Sequence, residues 1–315
     1  MLHTQTEDSY PIDVPMTFKA YNIVAVLGCG STSVVCLVKN IYSGQQYSAK
    51  IISKVDVENR HILNSIYTEI ELLRKLDNPH IVKLQDSFEI ENNKKEKFIV
   101  IIMEYCENGD LLTYATKHGF LSDNQKKKII LGFLSAIKYL HSKGISHGDI
   151  KAENILLGKN YSAKLCDFGY SRTSKIAGDE SKNGTLYYAA PELFYKGKFD
   201  TLKSDIWSIG ITLYSLSELQ FPFKDGDQDY IVQQIIRGNL SIRQGMEKKL
   251  RSLVEKCTQI KPESRPTIDD LIKDDYFFIG FKQLPIKKNL IMKKLTFDYL
   301  KDNNYTTYAK TSRNE

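Results

Sequence analysis

The sequence predicts an α+β chain in which a small strand-rich part precedes a larger helical part. Three observations carry that expectation. Strand-like runs crowd between residues 21 and 103. A single helix-spaced apolar stripe, Ile62, Ile66, Ile70 and Leu73, interrupts them. From about residue 110 onward, apolar residues recur at helical spacing. No internal repeat is present.

Residues 1–19 are polar with two prolines and read as a loose lead-in. YNIVAVLG (21–28) and VVCLVK (34–39) read as strands around GCGSTS, and Ser43-Gly44 marks a turn before QQYSAKII (45–52). IVKL (81–84) and KFIVIIM (97–103) read as further strands, with ENNKKEK between them as a charged hairpin tip or loop. Ser122 and Gln125 have capping-box spacing and Gly144 is a plausible stop. They bracket a helix whose buried stripe is Ile130, Phe133, Ile137 and Leu140. Lys126–Lys128 fall partly on its solvated face. Apolar runs at 205–219, 229–236, 247–257 and 267–273 read as helices as well.

Composition narrows the function classes. With 315 residues, 42% hydrophobic and 26% charged, the chain can bury a sizeable core as one large two-part domain or two small ones. Its net charge of +6 is dispersed over many acids and bases, and no nucleic-acid partner is expected. FIVIIM (98–103) is only strand-length, so no transmembrane segment is expected. The acidic, polar start is not a signal peptide, Leu2 excludes the myristoylation pattern, and TSRNE is no prenylation box. Five cysteines (29, 36, 106, 166, 257) contain no C-x-x-C pair, which argues against structural zinc and disulfides and suits a reducing cytosol or nucleus.

Several short stretches carry chemistry. Glycines in GCGSTSVV (28–35) would let backbone N–H groups approach phosphate oxygens, although a tight hairpin explains the same residues. A dinucleotide-binding turn is excluded because a strand, not a helix, follows. Glu69 lies three residues after Ile66 and four before Leu73, so it shares their inward face while Glu71 faces water. A buried acid needs a cation, and Lys50 in YSAK is the natural partner. In HGDIKAEN (147–154), Asp149 can orient a hydroxyl and Asn154 can offer a carbonyl oxygen to magnesium. Asp167 in LCDFG follows a short apolar strand and is suited to hold Mg²⁺ between phosphates. GTLYYAAPE (184–192) follows.

In type, order and separation these motifs resemble those of a eukaryotic-type protein kinase, from about 21 to 278. The set is the glycine loop, Lys50, Glu69, Asp149, Lys151, Asn154, Asp167, Ala190-Pro191-Glu192, DIWSIG (205–210) and Arg265. Aminoglycoside-type phosphotransferases share a related histidine-acid-asparagine loop but would not be expected to carry GTLYYAAPE. The resemblance implies a bilobal kinase fold: an extension over 1–19, a kinase domain over 20–278 divided near 105/106, and a basic tail over 279–315.

The resemblance also implies roles. Lys50 would hold the α- and β-phosphates, braced by Glu69; Asn154 and Asp167 would hold Mg²⁺; Asp149 would orient the acceptor hydroxyl and Lys151 steady the γ-phosphate. Leu27, Gly28, Gly30 and Ser31 would belong to the nucleotide-covering loop, and Ser48 would touch the adenine. Val35 and Leu156 would sandwich the adenine, with Met103 as the gatekeeper behind it. Glu104 and Cys106 would offer backbone atoms to its edge, and Asp110 would reach the ribose. Leu73, Phe168 and His147 would stack as part of a spine, and Glu192 would pair with Arg265. ATP and protein substrates are the implied partners. Lys151 and Thr185 resemble the serine/threonine class, and EYCENGDLL with HGDIKAENILL resembles the calcium/calmodulin- and AMP-activated-kinase-like branch. In that branch, acids placed like Asp110 and Glu153 face basic residues before the acceptor; the plainer reading leaves Asp110 to ribose and Glu153 to solvent.

The departures are specific. Ser33 replaces the third glycine of the loop and Ser48 the usual alanine. Gly148 replaces an arginine that ordinarily receives an activation-loop phosphate. The expected consequence is a live enzyme without that clamp, in which Arg172 could still meet a phosphate on Ser181. The alternative is a pseudokinase, a nucleotide-binding scaffold without turnover. Cys29, Cys106 and Cys166 border the expected nucleotide site and read first as inert small residues, second as targets for oxidation. In the tail, IKKNLIMKKL (286–295) permits an amphipathic helix, read first as packing on the large part and second as binding a regulator or an acidic surface.

Overall fold

The small unit is built on a six-stranded antiparallel sheet in the order β1-β2-β3-β4-β6-β5. Its strands are β1 (Thr17–Phe18), β2 (Tyr21–Cys29), β3 (Ser33–Asn40), β4 (Gln46–Ser53), β5 (Leu84–Glu91) and β6 (Lys97–Glu104). A computed structural model of the chain describes residues 16–30, 33–59, 63–118, 123–173, 176–177 and 185–278. Expectations that fall on Ser31, Ser122, Ser181 and 279–315 lie outside them. The described residues form two units, 16–75 with 83–105 and 76–82 with 106–278, each treated by itself below.

The two-residue period of a strand assigns the faces of this sheet. Val34, Cys36, Val38, Ala49, Ile51, Val100 and Ile102 point to one side and form a core with Phe18, Tyr21 and Ile23. The alternate residues Ile52, Ile99 and Ile101 point to the other side, where α1 (Lys54–Asn59) and α2 (Leu63–Lys75) cover them through Val57, Ile66 and Ile70. On this second face, the ladders set Gly28 opposite Val35, Val35 opposite Lys50 and Lys50 opposite Ile101. Residues scattered over 73 positions of sequence thus form one row.

Two local readings need correction, and one helix was not read from the sequence. IVKL gives only an isolated bridge, Ile81 to Leu165, and the strand starts at Leu84 instead. β5 is an edge strand, so its outward positions carry Glu89 and Glu91 and its alternation is too polar to stand out. Thr17–Phe18, within the expected lead-in, pairs with β2 and buries Phe18. Finally, KVDVEN forms α1 although Val55 and Val57 alternate as in a strand; Ser53 Oγ accepts from the Asp56 N–H and Val57 is buried.

The large unit is helical: α3 (Leu111–His118), α4 (Asp123–Ser142), α5 (Thr201–Glu218), α6 (Gln228–Arg237), α7 (Lys248–Cys257), α8 (Ile268–Ile272) and α9 (Asp275–Phe278). The α4 stripe is Ile129, Phe133, Ile137 and Leu140; Ile129 is buried where Ile130 was expected to be, and Ile130 is half-buried. Gly144, with φ of +71°, follows the helix end in the left-handed region. Two short two-stranded sheets lie among the helices. β7 (Ile155–Leu157) pairs with β8 (Ala163–Leu165), and β9 (Ile176–Ala177) pairs with β10 (Phe199–Asp200). Asp200 caps α5 by accepting the N–H groups of Leu202 and Lys203. No described helix is long and apolar enough to cross a membrane.

Candidate active site

In the small unit, Lys50 and Glu69 meet as the inward-face argument requires. Lys50 Nζ lies 3.4 and 3.3 Å from the two carboxylate oxygens of Glu69, whose side chain is buried. β4 fixes the lysine and α2 the acid. Ser48, one pleat away from Lys50, donates its hydroxyl to the Glu104 carbonyl at 3.2 Å, and Met103 stands directly opposite it. The Glu104 side chain turns elsewhere, accepting the Lys83 N–H at 2.7 Å. Leu27 is exposed near the end of β2, and the Gly30 N–H closes the turn onto the Ser33 carbonyl at 2.7 Å.

In the large unit, Asp149 is the centre of a dense set of contacts. One carboxylate oxygen accepts both the backbone N–H and the hydroxyl of Thr185, at 3.1 and 2.9 Å. The other pairs with Lys151 Nζ at 2.8 Å and accepts from Asn154 Nδ2 at 3.0 Å. Lys151 also donates to Thr185 Oγ1 at 2.6 Å. Asn154 spends its amide protons on the Asp149 carbonyl and carboxylate, which leaves its Oδ1 as the oxygen suited to a hard cation. The β7–β8 hairpin explains how Asn154 and Asp167 come together. Ile155 pairs with Leu165, so the residues just outside its open end, Asn154 and Cys166, are linked by an N–H to carbonyl bond of 3.0 Å. Asp167 follows with φ of +61°. Phe168, buried, packs edge-on against His147 with ring centroids 5.1 Å apart, while Leu73 is buried in the small unit.

Asp110 lies at an antiparallel bridge to Leu156, and one of its oxygens accepts the Thr113 N–H at 2.8 Å, capping α3. Cys106 is buried and its carbonyl accepts the Gly109 N–H. Glu153 is half-buried and accepts from the Tyr188 hydroxyl at 3.3 Å. Burial pushes its carboxyl up to about 7, helped by Asp110 and Asp149 and opposed by Lys151. Burial also raises the Cys29 thiol, which favours the inert reading of that residue.

One anchor of the loop was quoted in the sequence as part of DIWSIG without a role. Asp205 on α5, fully buried, accepts the backbone N–H groups of His147 and Gly148 at 2.8 and 2.9 Å and contacts His141 Nε2 at 2.9 Å. The signal was available: an acid at the start of the apolar run IWSIGITLY must be paired. Gly148 itself has φ of +81°, and a Cβ there would collide with the Tyr170 carbonyl. Glycine is therefore what this backbone path requires, and a small cavity beside it is lined by Ser146, Arg172, Thr201, Ser204 and Ser208.

A family profile described as protein kinase domain matches residues 21–277. The chain belongs to the protein kinase family. It is 32% identical over 284 residues to the CBL-interacting serine/threonine-protein kinase 14 of Arabidopsis thaliana, covering 87% of this chain and 63% of the relative. It is 31% identical to the serine/threonine-protein kinase kin-29 of Caenorhabditis elegans, over 82% of this chain and 31% of that one. It is 32% identical to the serine/threonine-protein kinase SIK2 of Gallus gallus, over 82% of this chain and 32% of that one. The chain thus spans under two thirds of the length of each relative. The serine/threonine class and the branch resemblance drawn from the motifs agree with these kinases, as does the β-rich then helical kinase fold.

Proposed function

We propose that the chain is a serine/threonine protein kinase that transfers the γ-phosphoryl group of ATP to Ser or Thr hydroxyls of proteins. The observation that carries this reading is the Asp149 cluster. A carboxylate held by Thr185, Lys151 and Asn154 presents an oriented acceptor beside a cation, which is what aligning a hydroxyl with a phosphoryl group requires. Lys50, held by Glu69, supplies the cation for the α- and β-phosphates.

Asn154 and Asp167 are the residues that would hold Mg²⁺. Their donor chemistry fits: an amide oxygen and a carboxylate are hard ligands, and no described group of three His, Cys, Asp or Glu side chains could bind a metal unaided. Such a two-ligand site suits an ion completed by phosphates and water. When bound, Mg²⁺ neutralises phosphate charge as it develops. The chain's residues do the rest. Lys151, on Asp149 and Thr185 together, places positive charge where the transferred group passes. Asp149 fixes the direction of the acceptor hydroxyl.

The remaining assignments follow from the family likeness. Leu27, Gly28, Gly30, Ser31, Val35, Ser48, Met103, Glu104, Cys106, Asp110 and Leu156 would form the nucleotide surroundings. Glu153 and Asp110 would favour basic residues before the acceptor, and the setting would be cytoplasmic or nuclear. Arg172, with Gly148 carrying no charge, would be the cation left for a loop phosphate.

Mg·ATP-dependent phosphorylation of a basic Ser peptide by phosphatase-treated protein tests the proposal beside an Asp167→Asn control. Turnover in the wild type alone supports it. Silence in both would mean a scaffold or a kinase waiting for an activator, and nucleotide binding by the silent protein would show a usable pocket in either case.

A further inference from the structure

The outer side of α2 is fastened to β5 by polar contacts. Tyr67 donates its hydroxyl to Glu89 Oε1 at 2.7 Å, although its ring is 39% exposed. Lys54, the first residue of α1, chelates the same carboxylate with Nζ at 2.9 Å from both oxygens. Two helical turns beyond Tyr67, Arg74 donates to Ser87 Oγ at 2.7 Å while pairing with Glu71. Tyr67 and Arg74 are seven residues apart and so share one face of α2, and Ser87 and Glu89 are two apart and share one face of β5. Two tethers along one edge set the rotation of the helix about its axis, which apolar packing through Ile66 and Ile70 constrains less sharply because it is non-directional.

That rotation controls Glu69. Tyr67 and Glu69 project roughly 200° apart around the helix. A side-chain tip about 5–6 Å from the axis moves about 2 Å for a 20° turn. The Lys50–Glu69 pair starts at 3.3 Å, long for an ammonium–carboxylate contact, so a movement of that size separates it. Electrostatics reinforces the clamp. The Tyr67 hydrogen bond first, and Lys54 next, hold the Glu89 carboxyl below the usual range, so it stays ionised through the neutral range.

We propose that Tyr67, Glu89 and Lys54 form a positioning clamp for the phosphate-binding lysine: they hold α2 in the rotation that keeps Glu69 on Lys50. None of the three is itself placed in the catalytic machinery. The inference rests on the reading of Lys50 and Glu69 given under the proposed function.

The test is a double-mutant cycle on kcat, with the KM for ATP and for peptide recorded separately. Tyr67→Phe, which removes one oxygen, is expected to lower kcat on the order of tenfold with little change in the peptide KM. Glu89→Gln is expected to do the same. In a Glu69→Gln background, Tyr67→Phe is expected to cost nothing further, because the group it positions is gone. A merely structural tyrosine would cost the same factor in both backgrounds, and that result overturns the clamp while leaving the role of Glu69 intact. An unchanged kcat in Tyr67→Phe and Glu89→Gln does likewise. A fully active Glu69→Gln single variant overturns the Lys50–Glu69 reading and the clamp with it.

Discussion

Gly148 and Tyr170 touch so closely that no side chain fits between them: the position of a Cβ on Gly148 falls onto the Tyr170 carbonyl oxygen. The glycine in the HGD triplet is thus part of a backbone path with φ of +81°, fixed further by its N–H on Asp205. Restoring the family's arginine by Gly148→Arg is expected to reduce activity instead of adding a phosphate-dependent switch. Gly148→Ala alone should cost about 1–3 kcal/mol in urea unfolding, from the left-handed backbone and the clash. A Gly148→Arg protein with full stability and phosphate-dependent turnover would refute this account.

Thr185 holds Asp149 and Lys151 simultaneously through one hydroxyl. Thr185→Ala is expected to lower kcat roughly tenfold, and Thr185→Ser to restore most of it, since serine keeps the oxygen. Steady-state kinetics with a single Ser peptide checks both.

Glu153 makes stability depend on pH in a direction opposite to most carboxylates. Its folded pKa, about 7, lies above the ordinary value of 4.5, so the folded state holds the proton more tightly. The contribution is fully present below about 4.5 and is lost as pH rises through 7. Glu153→Gln should therefore raise the thermal midpoint at pH 8 and leave it nearly unchanged at pH 4.5. Burial is the main cause of this raised titration; Lys151 opposes it, and Asp110 and Asp149 add to it. If Glu153 faces a basic substrate residue, the advantage of an Arg-containing peptide over its neutral counterpart should grow between pH 6 and 8.

Arg265 is sealed in the large unit. Its guanidinium meets both oxygens of Glu192 at 2.7 Å, donates to the carbonyls of Lys203, Gln259 and Ile260, and lies 5.2 Å from the Trp207 ring centroid. Ser204 adds a further donor to Glu192 at 2.7 Å. Removing either charge alone strands the other, so Glu192→Ala or Arg265→Met should each cost about 3–5 kcal/mol by chemical denaturation.

Ser48 occupies the Glu104 carbonyl with its own hydroxyl. Ser48→Ala is expected to release that acceptor and lower the KM for ATP by roughly threefold, which is under 1 kcal/mol and typical of a neutral hydrogen bond. An unchanged or higher KM would show that the carbonyl does not serve the nucleotide.

Much of this was legible in the sequence wherever local pattern and chemistry coincide. Glu69 was assigned inward from its place between Ile66 and Leu73, and it meets Lys50. The strands with unbroken apolar faces, β3, β4 and β6, were found nearly to the residue. What escaped depended on tertiary context. β5 is a polar edge strand whose partner decides its structure, and α1 contains valines that favour strand until Val57 finds the core. The contacts of Asp205 and Thr185 join residues far apart in sequence, and no spacing rule connects an acid at 205 to N–H groups at 147 and 148. Asp110 was read for its chemistry alone, whereas its carboxylate also ends a helix.

The Asp205 anchor has a consequence for biosynthesis. Gly148 and Asp205 are 57 residues apart, and at ~5–20 residues per second a ribosome needs about 3–11 s to make that stretch. Throughout that interval the emerging loop has its histidine, its acid and its lysine but no carboxylate to receive its amides. A nascent chain stalled before α5 would carry every motif of the loop without the carboxylate that anchors His147 and Gly148.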